Sequence, residues 1–241
     1  LDGTSGSLGS VSATIFVEER YDMVDGELII TDSRLLSEDE VMAIGIDNFE
    51  DLNTSPMPNA ALVANSRGKL TIAFSGLYVL DGKGISCNLC GSAKWDVSVL
   101  NISGENIPAT GEDFIGITWS GEFTASSHNI SGKYQNGSSI SIYNPDSIPN
   151  GGRVWSFNDI IRLSKYTLYA KDINLNMIIK KNVLEGNGNT AEAVLKYIHT
   201  YSKVNGSISI APGNKTVAGS INLSNTEKQW SLVCTVTDIP Y

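Results

Sequence analysis

The run Val204–Tyr241, VNGSISIAPGNKTVAGSINLSNTEKQWSLVCTVTDIPY, decides the fold class. It holds three apolar–polar alternations: Ser207–Ile210, Val217–Leu223 and Trp230–Val236. Asn205-Gly206 precedes the first, and Pro212-Gly213-Asn214 and Ser224-Asn225-Thr226 separate the rest. Alternation with a period of two places every second side chain on one sheet face, while Gly, Pro and Asn supply the backbone conformations of turns. The segment reads as a β-meander.

Just upstream, Asn189-Thr190-Ala191-Glu192 has the form of a capping box. Ala191, Val194, Leu195, Ile198 and Tyr201 follow at helical spacing, and Asn205-Gly206 suits a left-handed C-cap. These signals predict one amphipathic helix, Thr190–Lys203, laid against a sheet. Further upstream, Tyr166–Ala170 and Leu175–Lys180 read as strands. Asn144–Gly152, with Pro145, Pro149 and Asn150-Gly151-Gly152, reads as a long connection where a subdivision of the chain would fall. Asn136-Gly137 is the clearest hairpin signal, because both residues tolerate the positive φ of a type I′ turn. It joins Gly132–Gln135 to Ser139–Tyr143.

Lys69–Ser75, Tyr78–Leu80, Lys94–Leu100, Phe114–Trp119 and Glu122–Ala125 also read as strands, as do Ala61–Ala64 and Glu27–Thr31. Asn48–Ala60, with Pro56 and Pro58, reads as an extended loop. Ser37-Glu38-Asp39-Glu40 predicts a short capped helix that Gly45 ends. Residues 1–10 are rich in Gly and Ser and read as a mobile leader. Val11, Ala13, Ile15 and Val17 then share one strand face. The expected organisation is a flexible segment 1–10 followed by a β-rich domain over 11–241. Its fold class is mainly β, an antiparallel β-sandwich with Ig-like meander elements and one packed helix near 190–203.

Composition narrows the function classes. Charged residues make up 18% of 241 residues and the net charge is -9. Sequence-specific nucleic-acid binding needs clustered Lys and Arg, which this chain lacks. No apolar run approaches the roughly 20 residues of a membrane-spanning helix. The absence of a starting Met suggests a processed, exported chain.

The chemical motifs are sparse. Cys87-Asn-Leu-Cys90 and the separate Cys234 can give a disulfide with one remaining thiol, plain thiols or a redox pair, but not a four-ligand zinc site. His128 and His199 belong to no ligand pattern and read as structural. The acids Glu38 to Asp51, and Asp172, Asn174 and Asn176, match no calcium loop and read as solvated faces. No nucleophile elbow, P-loop or dinucleotide fingerprint is present. The expectation is a non-enzymatic protein with no cofactor and no metal. Among the four tryptophans, Trp95 and Trp230 sit inside alternating strands and read as core. Trp119 and Trp155 lie nearer turns and are the candidates for stacking against a glycan.

Several of these segments resemble bacterial chaperone–usher fimbrial adhesins. The likeness lies in Gly219-Ser220-Ile221-Asn222-Leu223, in Gln229-Trp230-Ser231, and in Lys69-Leu70-Thr71-Ile72 followed by Ser75-Gly76. The alternation Val11, Ala13, Ile15, Val17 resembles the family's donor strand, which completes a neighbour's sandwich by β-strand addition. Where such subunits carry a C-terminal Gly and a penultimate aromatic, this chain has Lys228 and Pro240, with Tyr241 last. The resemblance implies an exported cell-surface or extracellular subunit. It would bind a host glycan or protein receptor and assemble with other copies or related subunits. Two rivals remain open at this point. One is a self-assembling virion protein of the phage tail-tube type, suited by the acidity and the single helix. The other is a glycan-active enzyme on a β scaffold.

Overall fold

The computed structural model describes residues 3–24, 27–45, 64–82, 84–97, 111–162, 167–184, 188–201, 206–224 and 228–241. In chain order the elements are β1 (Thr4–Val24), β2 (Glu27–Leu35), α1 (Glu38–Ile44), β3 (Ala64–Leu80), β4 (Ile85–Val97), β5 (Glu112–Trp119), β6 (Thr124–Tyr134) and β7 (Ile142–Ile148). They continue with β8 (Gly152–Asn158), β9 (Ile160–Arg162), β10 (Thr167–Lys181), β11 (Thr190–Thr200), β12 (Ile208–Ala211), β13 (Ser220–Leu223) and β14 (Gln229–Pro240). The protein is mainly β and its sheets are antiparallel, as the sequence predicted.

One sheet runs β2-β1-β3-β4-β10-β6, with β9 attached to β10; the second runs β14-β11-β5-β8-β7. Their inner faces share one core. Leu70, Ile72, Phe74, Leu89, Trp95, Leu175 and Met177 come from the first sheet. Ile115, Ile117, Trp119, Phe157, Leu195 and Tyr197 answer from the second. Each such side chain, once fully buried, contributes about 1.5–3 kcal/mol. Gly91 lets the sheets approach: a Cβ there would lie 2.9 Å from Leu195 Cδ1.

The second sheet is also covered on its outer face. Phe114, Val154 and Ile198 pack there against Ile210 and Ile221 of the β12–β13 hairpin. Thr118 Oγ1 donates to Gly219 O at 2.8 Å, and Ile210 N donates to Asp146 Oδ2 at 2.9 Å. Gly116 permits this layer, because a Cβ would meet Ile221 Cδ1 at 2.5 Å and Arg153 O at 2.7 Å. Burial on both sides explains why β5 reads as a nearly continuous apolar run.

The same cause corrects the helix expected over 190–203. Residues 190–200 form β11, paired with both β5 and β14. Ala191, Ala193, Leu195, Tyr197 and His199 share the inner face, while Ile198 belongs to the outer core. Apolar residues on both faces imitate helical spacing. The supposed capping residues serve the sheets instead: Asn189 O accepts from Tyr241 N, and Glu192 Oε1 accepts from Ala218 N at 2.8 Å.

The α-helix lies at α1, where the Ser37–Glu40 capping box forms in full. The Asn136-Gly137 turn also forms, with Gly137 at φ 85 and Tyr134 N donating to Ser138 O. The expected hairpin shrinks to a single bridge, Lys133–Ser139, because β6 goes on with β10 and β7 with β8 in the other sheet. The C-terminal meander is half right. β12 and β13 pair with each other, but β14 leaves them and joins β11.

Two loop readings are corrected as well. Residues 4–10 belong to β1 and pair with Ser75–Leu80, so the expected leader is sheet. Most of Asn144–Gly152 falls in β7 and the turn into β8, where Pro145 sits at the break in register between Tyr143 and Asp146. The loop Asn48–Ala60 lies outside the described residues, as do the expected strand residues 61–63 and 98–100. Among the described residues, no helix is long and apolar enough to cross a membrane.

Candidate functional site

The inward register of three strands carries polar residues where apolar ones are the rule. In β1 the alternation Ala13, Ile15, Val17 continues to Glu19. In β5, Trp119, Ile117 and Ile115 continue to Asp113, and in β11 Leu195 and Tyr197 continue to His199. All three polar side chains are fully buried, and Asp159, after β8, joins them at 1% exposure.

His199 is the hub. Its Nε2 faces Glu19 Oε1 at 2.9 Å, and its Nδ1 faces Asp113 Oδ1 at 2.9 Å. Asp159 Oδ2 lies 3.8 Å from the same Nδ1. Ionised carboxylates only accept, so with both in that form each ring nitrogen donates and the ring is an imidazolium. Burial alone would discharge it, but Asp113 and Glu19 more than reverse that effect and raise its pKa well above the usual histidine value.

Asp113 is held from other sides too. The Tyr197 hydroxyl donates to Oδ2, and Thr200 N donates to Oδ1 at 3.1 Å. Trp95 Nε1 donates to the Tyr197 oxygen at 3.2 Å. Burial first, and then Asp113, push the Tyr197 pKa well up, so the phenol keeps its proton. Aromatic rings enclose the imidazolium: Trp230 at 4.8 Å, Trp95 edge-on at 5.9 Å and Tyr201 stacked at 6.5 Å. This network crosses the sandwich and ties β1 and β4 to β5 and β11.

Asp113, Asp159 and His199 each offer one ligand atom within 4.8 Å of the others, close enough to share a cation. The two short carboxylate contacts on the ring favour a proton at Nδ1, which a metal would have to displace. None of these groups can meet a substrate from solvent, because all are at most 1% exposed. Their chemistry is that of a sealed electrostatic clamp.

Among the described residues, two surface features can meet a partner. On the outer face of the second sheet, an open cleft of about 320 Å³ lies between β13 and β14. Lys196, Ile198, Asn222, Gln229 and Ser231 line it. Trp230 adjoins the cleft but belongs to the inner aromatic cluster with His199 and Trp95. The other feature is an edge. Among the described residues, β1 pairs with β2 only from Val17 onward and Phe16 O accepts from Leu36 N, so over Thr4–Ile15 its strand partner is β3, on one side.

The residues singled out in the sequence fall elsewhere. Trp119 and Trp155 are 1% and 2% exposed, and Trp119 Nε1 donates to Phe123 O at 2.8 Å. Both are core residues, and the expected stacking platforms are corrected accordingly: each strand continues into the fold beyond the turn that suggested exposure. Val11 is 41% exposed, Ala13 and Ile15 are partly buried and Val17 is fully buried. All four pair within their own sheet rather than standing free as a donor strand.

Cys87, Cys90 and Cys234 are free thiols. Cys87 and Cys90 lie on one strand at an odd separation, so they point to opposite faces and cannot bridge. Cys87 is buried, which pushes its pKa up to about 12, whereas Cys90 is exposed. His128 sits in β6, not a loop, with Arg153 Nη1 at 2.9 Å.

Sequence reasoning overlooked Glu19, Asp113 and Asp159. The available signal was a carboxylate on the apolar beat of an alternating strand.

No known family profile matches the chain, and no curated protein matches it. Among solved structures, a pore-forming protein superposes with a TM-score of 0.31 at 11% identity, covering 90% of this chain and 96% of that one. A structure concerning pH-induced modulation of Streptococcus parasanguinis adhesion by Fap1 fimbriae gives 0.27 at 13% identity, covering 69% and 80%. The collagen adhesin of S. aureus gives 0.26 at 8% identity, covering 97% and 91%. TM-scores this low carry no functional argument, so the chain's own residues must supply one.

Proposed function

We propose that this chain is a non-catalytic, adhesin-like binding subunit of an exported, surface-displayed assembly. It holds a host glycan or protein and joins other copies of itself by β-strand addition. The observation that supports this reading most is the edge of β1. From Thr4 to Val17 this strand carries no charged residue and no proline, although a bulge at Ser7–Ser10 interrupts it. Proteins blunt unused edges with charge, proline or cover. Of the four outermost strands, β2 contains Asp32 and Arg34 and β7 contains Pro145 and Asp146, while β6 and β14 carry stretches without formal charge or proline, Thr124–Gly132 and Gln229–Thr237. A long uncharged edge suits pairing with a further strand. A non-catalytic role is supported by the sealed cluster, which keeps the buried acids and His199 out of a substrate's reach.

Sedimentation velocity over a range of concentrations tests the assembly. The native chain should form oligomers, and Val11→Lys, which sets a charge at the rim of the edge, should stay monomeric with an unchanged circular dichroism spectrum. A native chain that is monomeric throughout would refute self-addition. Closed rings that survive Val11→Lys would favour the virion alternative.

A further inference from the structure

We propose that the cleft between β13 and β14 binds a carboxylated saccharide of monosaccharide size, with Lys196 as its counter-charge. This inference rests on the reading of the chain as a glycan-binding subunit and narrows its ligand.

The cation comes first. Lys196 Nζ donates to Ile221 O at 2.8 Å, and no ion pair to Lys196 is found among the described residues. Arg34 and Arg67 hold Glu18, and Lys69 and Lys94 hold Asp96, whereas Lys181 and Lys228, like Lys196, donate to backbone oxygens, those of Gly121 and Ile30. What sets Lys196 apart is the cleft it lines: its ammonium has three donors and one carbonyl oxygen as partner, which leaves capacity for an anion bound there. Burial lowers the Lys196 pKa, which shows that the ammonium has lost hydration that a bound anion would offset.

The remaining lining suits a sugar. Exposed Asn222 and Ser231 offer an amide and a hydroxyl beside the amide of Gln229, while Ile198 gives an apolar floor. Hydroxyls and one C–H face of a pyranose need that mixture. A volume of about 320 Å³ sits at the small end of ligand sites, which run from roughly 300 to 1,000 Å³. One point charge, with no arginine fork in the lining, matches a single carboxylate better than a phosphate.

Calorimetric titration of the native chain with glucuronic acid, N-acetylneuraminic acid, galactose and acetate tests the proposal. One or both acidic sugars should bind at least tenfold more tightly than galactose or acetate. Lys196→Gln should weaken that binding about tenfold or more, and Lys196→Arg should retain most of it. Asn222→Ala, at an exposed position, should weaken it several-fold without altering the fold. Failure of both acidic sugars to bind more tightly than galactose, or full binding by Lys196→Gln, would overturn the proposal. So would acetate binding as tightly as the sugars, because the cleft would then sense charge alone. If the acidic sugars fail while neutral glycans bind on an array, the carboxylate inference falls and the glycan-binding reading survives. If neither binds, both fall.

Discussion

Glu19 and His199 lie 180 residues apart and meet inside the sandwich, Oε1 to Nε2 at 2.9 Å, with both side chains fully buried. This contact joins an inner strand of the first sheet to an inner strand of the second. Removing one partner of a buried ion pair leaves an uncompensated charge, which costs about 3–5 kcal/mol. Glu19→Gln and His199→Gln should each destabilise the protein by that order in urea unfolding. A loss below about 1 kcal/mol in both would show that the clamp does not hold the sheets together.

The same contact makes stability depend on pH. The folded state raises the His199 pKa above its unfolded value of about 6.5. Its stabilisation is therefore fully present below about pH 6.5 and is lost as pH climbs through the higher folded value. The melting temperature should fall with rising pH on the alkaline side, and His199→Gln should flatten that slope. A fall of equal steepness in the variant would assign the effect to other groups.

Thiol chemistry should follow the pleat. In the native protein iodoacetamide should label Cys90 and spare Cys87 and Cys234, while unfolding should expose all three. Intact-mass spectrometry counts the adducts. Rapid native labelling of Cys87 would place that thiol outside the core.

Trp119 and Trp155 should behave as core residues. Truncation of either to Ala should cost about 3–5 kcal/mol. Sugar binding should be lost only to the extent that the protein unfolds. Weakened binding with unchanged stability would restore them as contact residues.

How much of this was legible in the sequence varies by element. The β class, the α1 capping box and the Asn136-Gly137 turn could be read because each is a local signal of a few residues. β11 could not: Val194 and Ile198 put apolar side chains on its outer face, Ile198 packing against the β12–β13 hairpin, and these break the apolar period of two although burial still alternates from Ala191 to Tyr197. Likewise β14 leaves the hairpin for β11 because its Cys234, Val236 and Ile239 belong to the main core, a preference no turn residue encodes. The clamp was half visible. His199 stood out only as one of two histidines; Asp113 is brought to it by the pairing of β5 with β11 and Glu19 by the stacking of the sheets. The Lys196 cleft left no motif, since its walls come from three strands.

Assembly is expected to run through the edge of β1. Amide hydrogen exchange, measured on dilute monomer and on the concentrated assembly, tests it directly. The outward amides of Thr4–Ile15 should become strongly protected on assembly while those of β2 and β7 stay unchanged. Assembly that leaves the β1 amides as exchangeable as in the monomer would contradict the account.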